Sequence, residues 1–201
     1  MHLRIQLILA TVAFSAVALA QNPITADAPF QVRYASNLNI GDSVVNITNS
    51  GATVASGVSQ SLCANLYTFD PAEELVSCCT CSVTPNALVS LSVVKSLISN
   101  PLTPAIPTSV VIKLVSTTGT CNAAAEGTLA TGLLAWGTTL HLNNTTAAPS
   151  YYGTETAFSP ATLSAAEYAH ITTFCGFIQA NGSGFGICSG CSTGGLGASR
   201  Q

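Results

Sequence analysis

The nine residues Ser109-Val-Val-Ile-Lys-Leu-Val-Ser-Thr117 form the clearest β-strand pattern in this sequence. Valine and isoleucine, whose branched side chains favour extended backbone, make up much of the run. Its centre is apolar rather than alternating, which is typical of a strand that is buried on both faces. The rest of the chain is therefore interpreted as further strands around this one and as elements that cover them.

Other runs on both sides of this strand have a similar character. Segments 62–69 and 133–142 are strand-like, and the second of them carries Trp136 and His141. Residues 42–49 form a β-branched run between turn-forming residues. Together these segments predict a mainly β, sandwich-like domain.

One segment near the C-terminus has the pattern of a helix. Ser164 and Glu167 form a capping box, and Asn181-Gly182 is a stop signal. The apolar stripe between them has helical spacing: Tyr168, Ile171, Cys175 and Ile178. The sequence therefore predicts one C-terminal α-helix, at about 165–180.

The segment 70–73 (Asp-Pro-Ala-Glu) also resembles a helix start. Aspartate is a good N-cap, proline suits the first helical position, and a glutamate follows three residues after the cap. This predicts a single helical turn that ends near Val76, and Thr84-Pro85 predicts a second start of the same kind. Asp70, Glu73 and Glu74 could instead form a calcium or catalytic site, but capping explains two of the three without a ligand.

The N-terminus has the features of a secretory signal peptide. A positively charged start, Met1–Arg4, precedes the apolar run Ile5–Ala18 and a small-residue cleavage site ending at Ala20. The apolar run is shorter than the roughly 20 residues of a membrane-spanning helix. We therefore divide the chain into a signal peptide (1–20), one stapled domain (21–191) and a flexible tail (192–201). The mature protein is expected to be secreted or at the cell surface, without a membrane span.

All cysteines of the chain lie after the predicted cleavage site. An even number in an exported chain predicts disulfides, although about 105 pairings of eight cysteines leave the connectivity open. Zinc binding is less favoured, because no second CxxC and no matching histidine pair accompany the last two cysteines. A redox-active pair is less favoured, because these two cysteines lie in a Gly- and Ser-rich tail and do not open a helix after a strand. The disulfide candidates are Cys63, Cys78, Cys79, Cys81, Cys121, Cys175, Cys188 and Cys191.

Spacing restricts how these cysteines pair. A bridge between the adjacent Cys78 and Cys79 would strain the backbone, and one between Cys79 and Cys81 would also be tight. At least one cysteine of this cluster is therefore expected to reach the late group, 121–191. Because Cys175 lies on the apolar stripe of the predicted helix, one bridge is expected to join the helix to the sheet.

Charge is scarce throughout the chain. Charged residues make up 6% of the sequence and the formal net charge is −3, whereas soluble domains usually have about 25% charged residues. The five Lys and Arg cannot form a surface that follows phosphates, so nucleic-acid binding is excluded. The 48% hydrophobic content excludes a disordered chain. An uncharged surface repels itself weakly, so self-association is expected to be easy.

The predicted mature chain offers little that identifies catalysis. Its two histidines, His141 and His170, lie in no recognisable motif, and Gly-x-Ser-x-Gly and His-Glu-x-x-His are missing. Two carboxylates could serve a glycosidase. Asp70, Glu73 and Glu155 are the loop candidates, but nothing in the sequence places two of them together. We therefore assign no catalytic, cofactor-binding or metal-binding residue and expect no cofactor.

Several short strings occur together in this chain: LCANLY at 62–67, FDP at 69–71, CCTC at 78–81, VTPN at 83–86, SNPLT at 99–103, TET at 154–156, TLS at 162–164 and NGSG at 181–184. In this combination the chain resembles an uncharacterised family of exported, cysteine-containing bacterial proteins. The resemblance extends from about Ser43 to Cys191. It implies export, and it implies no activity, cofactor or catalytic residue.

These observations favour a secreted, non-enzymatic extracellular module with a structural, adhesive or matrix role. The alternative is a secreted carbohydrate-binding module, for which Trp136, Tyr151 and Tyr152 are the available aromatic platform. A secreted hydrolase is the third hypothesis. The partners expected are another copy of the chain, a polysaccharide or a surface.

Overall fold

The computed structural model describes residues 28–55, 57–144 and 148–189. Strands dominate this part of the chain, with a short π-helical turn at Val93–Leu97 and one α-helix, α1 (Ala165–Asn181). The strands, in chain order, are β1 (Phe30–Ala35), β2 (Val44–Asn49), β3 (Val54–Ala55), β4 (Val58–Ser59), β5 (Leu62–Phe69), β6 (Leu75–Val83), β7 (Leu88–Ser92), β8 (Val110–Thr118), β9 (Thr128–Leu129), β10 (Leu133–Asn143), β11 (Ser150–Ala157) and β12 (Ser159–Pro160). The predicted mainly β fold with one C-terminal helix is confirmed.

The strands form two main antiparallel sheets and a small hairpin. The larger sheet has the order β12-β1-β8-β5-β6, with β9 paired to β8, and the smaller sheet has the order β11-β10-β2-β7. Strand β8, which contains the run quoted first, lies between β1 and β5. It is buried on both sides, with Ile112 and Leu114 in one apolar cluster and Val115 in another. The expectation for this strand is therefore confirmed.

The larger sheet has a different neighbour on each face. On one face, Leu66 and Leu114 belong to the same buried cluster as Ile47 and Leu133 of the smaller sheet. The opposite face contacts α1 through a second cluster, whose buried members include Tyr67, Val115, Tyr168, Ile171, Cys175 and Ile178. The architecture is thus sheet on sheet with one helix outside, and the stripe predicted for the helix is the face that it buries.

Disulfides connect these layers. The bridges Cys63–Cys121, Cys78–Cys175 and Cys79–Cys188 each join the early cysteine group to the late one. Adjacent side chains in a strand point to opposite faces. Cys78 therefore reaches α1 on one side of β6, while Cys79 reaches Cys188 among the residues between the sheets. The expected connection of helix and sheet is confirmed.

Two cysteines remain, Cys81 of the early group and Cys191 of the late one. Cys81 on β6 is also disulfide-bonded, whereas Cys191 lies outside the described residues. The segment before Cys188 lies along the outer edge of β6, since the Cys78 amide donates to the Gly186 carbonyl at 2.8 Å. This contact covers backbone groups that an edge strand would otherwise leave unpaired.

The helical turn predicted after Asp70 is wrong. Residues 70–74 form the tight turn of the β5–β6 hairpin, in which the Asp70 amide donates to the Glu74 carbonyl at 3.0 Å. The Asp70 carboxylate still acts as a cap, because it accepts from the amides of Ala72 and Glu74, both at 2.9 Å. The pairing of Phe69 with Leu75 requires the chain to reverse here, which a helical turn would not allow.

The second predicted helix start, at Thr84-Pro85, is also wrong. The Ala87 amide donates to the Thr84 carbonyl at 2.9 Å, and Asn86 has a left-handed φ of 64°. This turn carries the chain from β6 of the larger sheet to β7 of the smaller one. Residues such as threonine and proline are compatible with a helix start and with a turn. Here the pairing of β7 with β2 requires a turn.

The proposed chain division is partly outside the described residues. The predicted signal peptide, 1–20, and the predicted tail, 192–201, both lie there. Within the described ranges, α1 included, no helix is both long and apolar enough to cross a membrane.

Candidate functional site

A groove lies between α1 and the β5–β6 turn, with a cavity of about 360 Å³. Its apolar wall consists of Phe69, Leu75, Leu102, Ile171 and Phe174. Its polar rim consists of Glu73, Glu74, Thr103 and His170. A concave, mostly apolar surface with a few polar groups is the usual form of a ligand site. We call this surface the helix–turn groove.

The helix presents its part of the groove through helical spacing. His170 and Phe174 are four residues apart, so their rings meet edge-on with centroids 4.5 Å apart. Ile171 lies beside them and is fully buried against the sheet. The helix start is held by Ser164, whose Oγ accepts from the Glu167 amide at 3.1 Å. The Cys78–Cys175 bridge then fixes the residue next to Phe174 to β6.

A smaller hollow of about 290 Å³ continues from the groove towards β8 and shares Phe69, Glu73 and His170 with it. Here Lys113 of β8 forms an ion pair with Glu167 of α1, at 2.5 Å. The Lys113 ammonium also lies 4.5 Å from the centroid of the Phe69 ring. The lysine of the hollow is thus already paired.

Negative charge gathers at this surface. The described residues contain the carboxylates of Asp42, Asp70, Glu73, Glu74, Glu126, Glu155 and Glu167. More than half of them line the groove or its hollow: Asp70, Glu73, Glu74 and Glu167. Glu167 is neutralised by Lys113, and Asp70 serves the turn, but no ion pair within the described ranges involves Glu73 or Glu74. The groove therefore has an apolar wall and an uncompensated acidic rim.

The three aromatic residues proposed from the sequence as a ligand platform do not come together. Residues paired across β10 and β11 share a face, and neighbours along a strand alternate. Trp136 and Tyr151 are consequently on one face and Tyr152 is on the other. Tyr151 pairs with Leu142, which lies six positions from Trp136, so the two aromatics are about 20 Å apart.

Trp136 instead has polar neighbours on its own face. It pairs with Asn46, which pairs in turn with Ser90, so these residues form one row across the smaller sheet. The Ser90 hydroxyl donates to Asn46 Oδ1 at 2.7 Å, and Asn46 Nδ2 donates to Glu155 Oε1 at 3.4 Å. A half-buried indole beside hydrogen-bonding amide and carboxylate groups is the kind of surface that stacks on a sugar ring.

The candidate hydrolase residues are also dispersed. Asp70 and Glu73 line the hollow beside the helix–turn groove, but Glu155 lies on β11 in the other sheet. His141 Nε2 is 3.0 Å from Thr154 Oγ1, and its ring stacks on Tyr152 with centroids 5.0 Å apart. Through the described ranges, no group of three His, Cys, Asp or Glu side chains could hold a metal ion.

Sequence reasoning did not identify the groove. Phe69 and Phe174 are on different elements, and their proximity depends on how α1 docks on the sheet. Two local features pointed in this direction. Asp70, Glu73 and Glu74 form an acidic cluster in the sequence, and Phe174 and Phe177 are aromatic residues that lie off the apolar stripe of the helix, 47% and 67% exposed.

No protein-family model, no curated protein and no solved structure matches this chain. The resemblance to exported bacterial proteins therefore stays a prediction.

Proposed function

We propose that this chain is a secreted, non-enzymatic extracellular module with a structural, adhesive or matrix role, and that the helix–turn groove is its attachment surface. One observation carries the proposal. In a chain with 6% charged residues, Glu73 and Glu74 meet the exposed ring of Phe174 in one groove, and the hollow that adjoins it adds Asp70 and Glu167. Exposed apolar surface with a polar rim is typical of interaction sites.

The disulfides support a binding role for this surface. Cys78–Cys175 holds α1 on β6, and Cys79–Cys188 holds the segment that follows α1. The Asp70 carboxylate holds the turn on the opposite side of the groove. Both walls are therefore fixed before a partner arrives, which reduces the entropy lost on binding.

The titratable groups favour binding over catalysis. Each cysteine within the described ranges is disulfide-bonded, so none of these is a thiolate nucleophile. The exposed His141–Thr154 contact joins an imidazole to a hydroxyl, but the imidazole stacks on Tyr152, and no carboxylate of the described residues hydrogen-bonds to it. An activated nucleophile needs a base that is itself oriented.

The test compares two phenylalanines of one helix. The full chain, with its disulfides intact, is applied to a methyl-terminated layer on a quartz-crystal microbalance, and the mass retained after rinsing is measured. We expect Phe174→Ser, in the groove, to lower the retained mass several-fold. We expect Phe177→Ser to leave it unchanged, because Phe177 is more exposed but does not line the groove.

Equal losses in both variants, or in neither, would show that the groove is not the attachment surface. The enzymatic alternative is tested with ester, glycoside and peptide substrates. Turnover that disappears in Glu73→Gln would replace the proposal with a hydrolase, because Glu73 lines the groove and the hollow and has no ion-pair role in the described residues.

Carbohydrate binding is a second candidate function, favoured by the row of Trp136, Asn46 and Ser90 on the smaller sheet. A glycan array probed with the full chain tests it. We expect Trp136→Ala to abolish any signal and Tyr152→Ala to retain it, because Tyr152 is on the opposite face. A signal that survives Trp136→Ala would reject this face as the sugar site.

A further inference from the structure

We infer that the helix–turn groove binds an organic cation with a hydrophobic body, which the carboxylates of Glu73 and Glu74 hold at the charged end. The inference rests on the proposed function, since it names the chemistry of what the attachment surface recognises. It depends on three properties of the groove: its size, its unpaired charge and its aromatic wall.

The size and wall of the groove suit a small molecule or one terminal group of a larger one. The cavity of about 360 Å³ is within the range of roughly 300–1,000 Å³ that is usual for such ligands. The hydrocarbon residues Phe69, Leu75 and Phe174 are part of its lining. A ligand that fills this space must therefore carry an apolar body.

The charge of the rim selects the sign of the ligand. Glu73 and Glu74 are exposed at the groove, and no ion pair among the described residues uses either of them. Lys113, the basic side chain of the adjoining hollow, is neutralised by Glu167 at 2.5 Å. His170 Nδ1 is 3.9 Å from the same glutamate. An anionic ligand would be repelled here, while a cation would compensate charge that this part of the chain leaves unpaired.

The aromatic wall strengthens the preference for a cation. The Phe69 ring already accepts the Lys113 ammonium at 4.5 Å from its centroid, which is the geometry of a cation–π contact. The same ring lines the cavity and the hollow. Phe174, 47% exposed, adds a second ring. Aromatic rings are the usual recognition surface for quaternary ammonium groups, and here two carboxylates lie on the rim beside them.

The position of Glu73 is set by the backbone. Its amide donates to the Asp70 carbonyl at 3.1 Å, and its φ of 67° is left-handed. The Asp70 carboxylate accepts from the amides of Ala72 and Glu74, the residues on either side of Glu73. The carboxylate of Glu73 is therefore carried by a fixed turn rather than by a free loop.

The test titrates the full, disulfide-intact chain with benzyltrimethylammonium chloride and follows binding by isothermal calorimetry. Benzyl alcohol, which has the ring without the charge, is the uncharged control. We expect the cation to bind at least tenfold more tightly than the alcohol. We expect the Glu73→Gln, Glu74→Gln double variant to weaken the binding of the cation about tenfold, and added sodium chloride to weaken it in the unmodified chain.

A matched control changes the net charge by the same amount elsewhere. Glu126→Lys replaces one exposed carboxylate that lines neither the groove nor its hollow, and we expect it to leave the affinity unchanged. Circular dichroism of this variant and of the double variant checks that both fold. Equal affinities for the alcohol and the cation, equal losses in the double variant and in Glu126→Lys, or no binding of the cation at millimolar concentration would overturn the inference.

The outcome separates the inference from the proposed function. If Phe174→Ser abolishes adsorption to the methyl-terminated layer while benzyltrimethylammonium does not bind, the groove is an attachment surface that recognises another chemistry. If the cation binds but adsorption does not depend on Phe174, the groove is a cation site and the adhesive role is wrong.

Discussion

The guanidinium of Arg33 lies against Gly137, so closely that a Cβ at position 137 would be 2.2 Å from Arg33 Nε. Arg33 belongs to β1 of the larger sheet and Gly137 to β10 of the smaller one. The buried guanidinium donates to the Thr156 carbonyl and to Thr139 Oγ1, both at 2.9 Å. Burial lowers the pKa of Arg33, and the nearby Glu155 carboxylate opposes that shift. A glycine is thus required where a charged side chain joins the two sheets.

We predict that Gly137→Ala destabilises the protein by about 1–3 kcal/mol, because the added methyl group must displace a buried, hydrogen-bonded guanidinium. Urea unfolding followed by circular dichroism measures the change. Gly153→Ala is the matched control, since a Cβ at this position on β11 meets nothing within 4 Å. Equal stability of the two variants would show that Arg33 moves aside without cost.

The bridge between helix and sheet provides a second prediction. Cys78 and Cys175 are 97 residues apart, and their disulfide holds α1 on β6. Because Cys79–Cys188 stays closed beside it, this bridge adds a loop of only about 15 residues to the cross-linked unfolded chain. Replacing both cysteines by serine should therefore lower the free energy of unfolding by about 3 kcal/mol, the value that chain entropy gives for a loop of that length. Thermal unfolding of the double variant, with the other disulfides shown to be intact by mass spectrometry, tests this. A loss below about 1 kcal/mol would contradict the entropic account.

The left-handed backbone of Glu73 predicts a substitution that raises the stability of the protein instead of lowering it. With φ at 67°, a side chain at this position costs about 1–2 kcal/mol relative to glycine. Glu73→Gly should therefore stabilise the chain, whereas Glu74→Gly, next to it at a position without positive φ, should destabilise it. Comparing the urea midpoints of the two variants decides the question. A stabilised Glu73→Gly chain that loses cation binding would also show that the glutamate is kept at the expense of stability.

Tyr67 predicts how stability depends on alkaline pH. Its phenol is buried and donates to the Ala123 carbonyl at 2.8 Å. Burial, and to a smaller extent Tyr168, raises the pKa of Tyr67 far above its ordinary value. In the unfolded chain the phenol loses its proton near pH 10, while the folded chain retains it. The free energy of unfolding should therefore fall as the pH rises above about 10.

The measurement is a series of urea unfolding curves between pH 8.5 and 11.5, for the unmodified chain and for Tyr67→Phe. The variant cannot ionise at this position, so its stability should fall less steeply with pH. Its lower overall stability from the lost hydrogen bond does not affect this comparison of slopes. Parallel slopes would show that Tyr67 ionises in the folded protein.

Part of the fold could be predicted from local sequence. The helix, with its cap at Ser164 and its buried stripe, was predicted to within a residue or two, since capping and periodicity act over a few neighbouring positions. The same holds for β5 and β8, whose apolar runs are buried wherever they pack. Strands β1, β6 and β11 were missed. All eight residues of β11 are exposed, so no burial pattern marks it.

The sequence by itself determined the mainly β class, the helix and the expectation that the early and late cysteines are joined, because each depends on residue types or spacing along the chain. Tertiary structure decided the rest. It turned the segment after Asp70 into a hairpin, separated Trp136 from Tyr151 and placed Phe69 and Phe174 in the wall of one groove. These outcomes depend on which strands pair and on where the helix docks. The free energy of such contacts between residues distant in the chain outweighs the small local preferences that sequence patterns report.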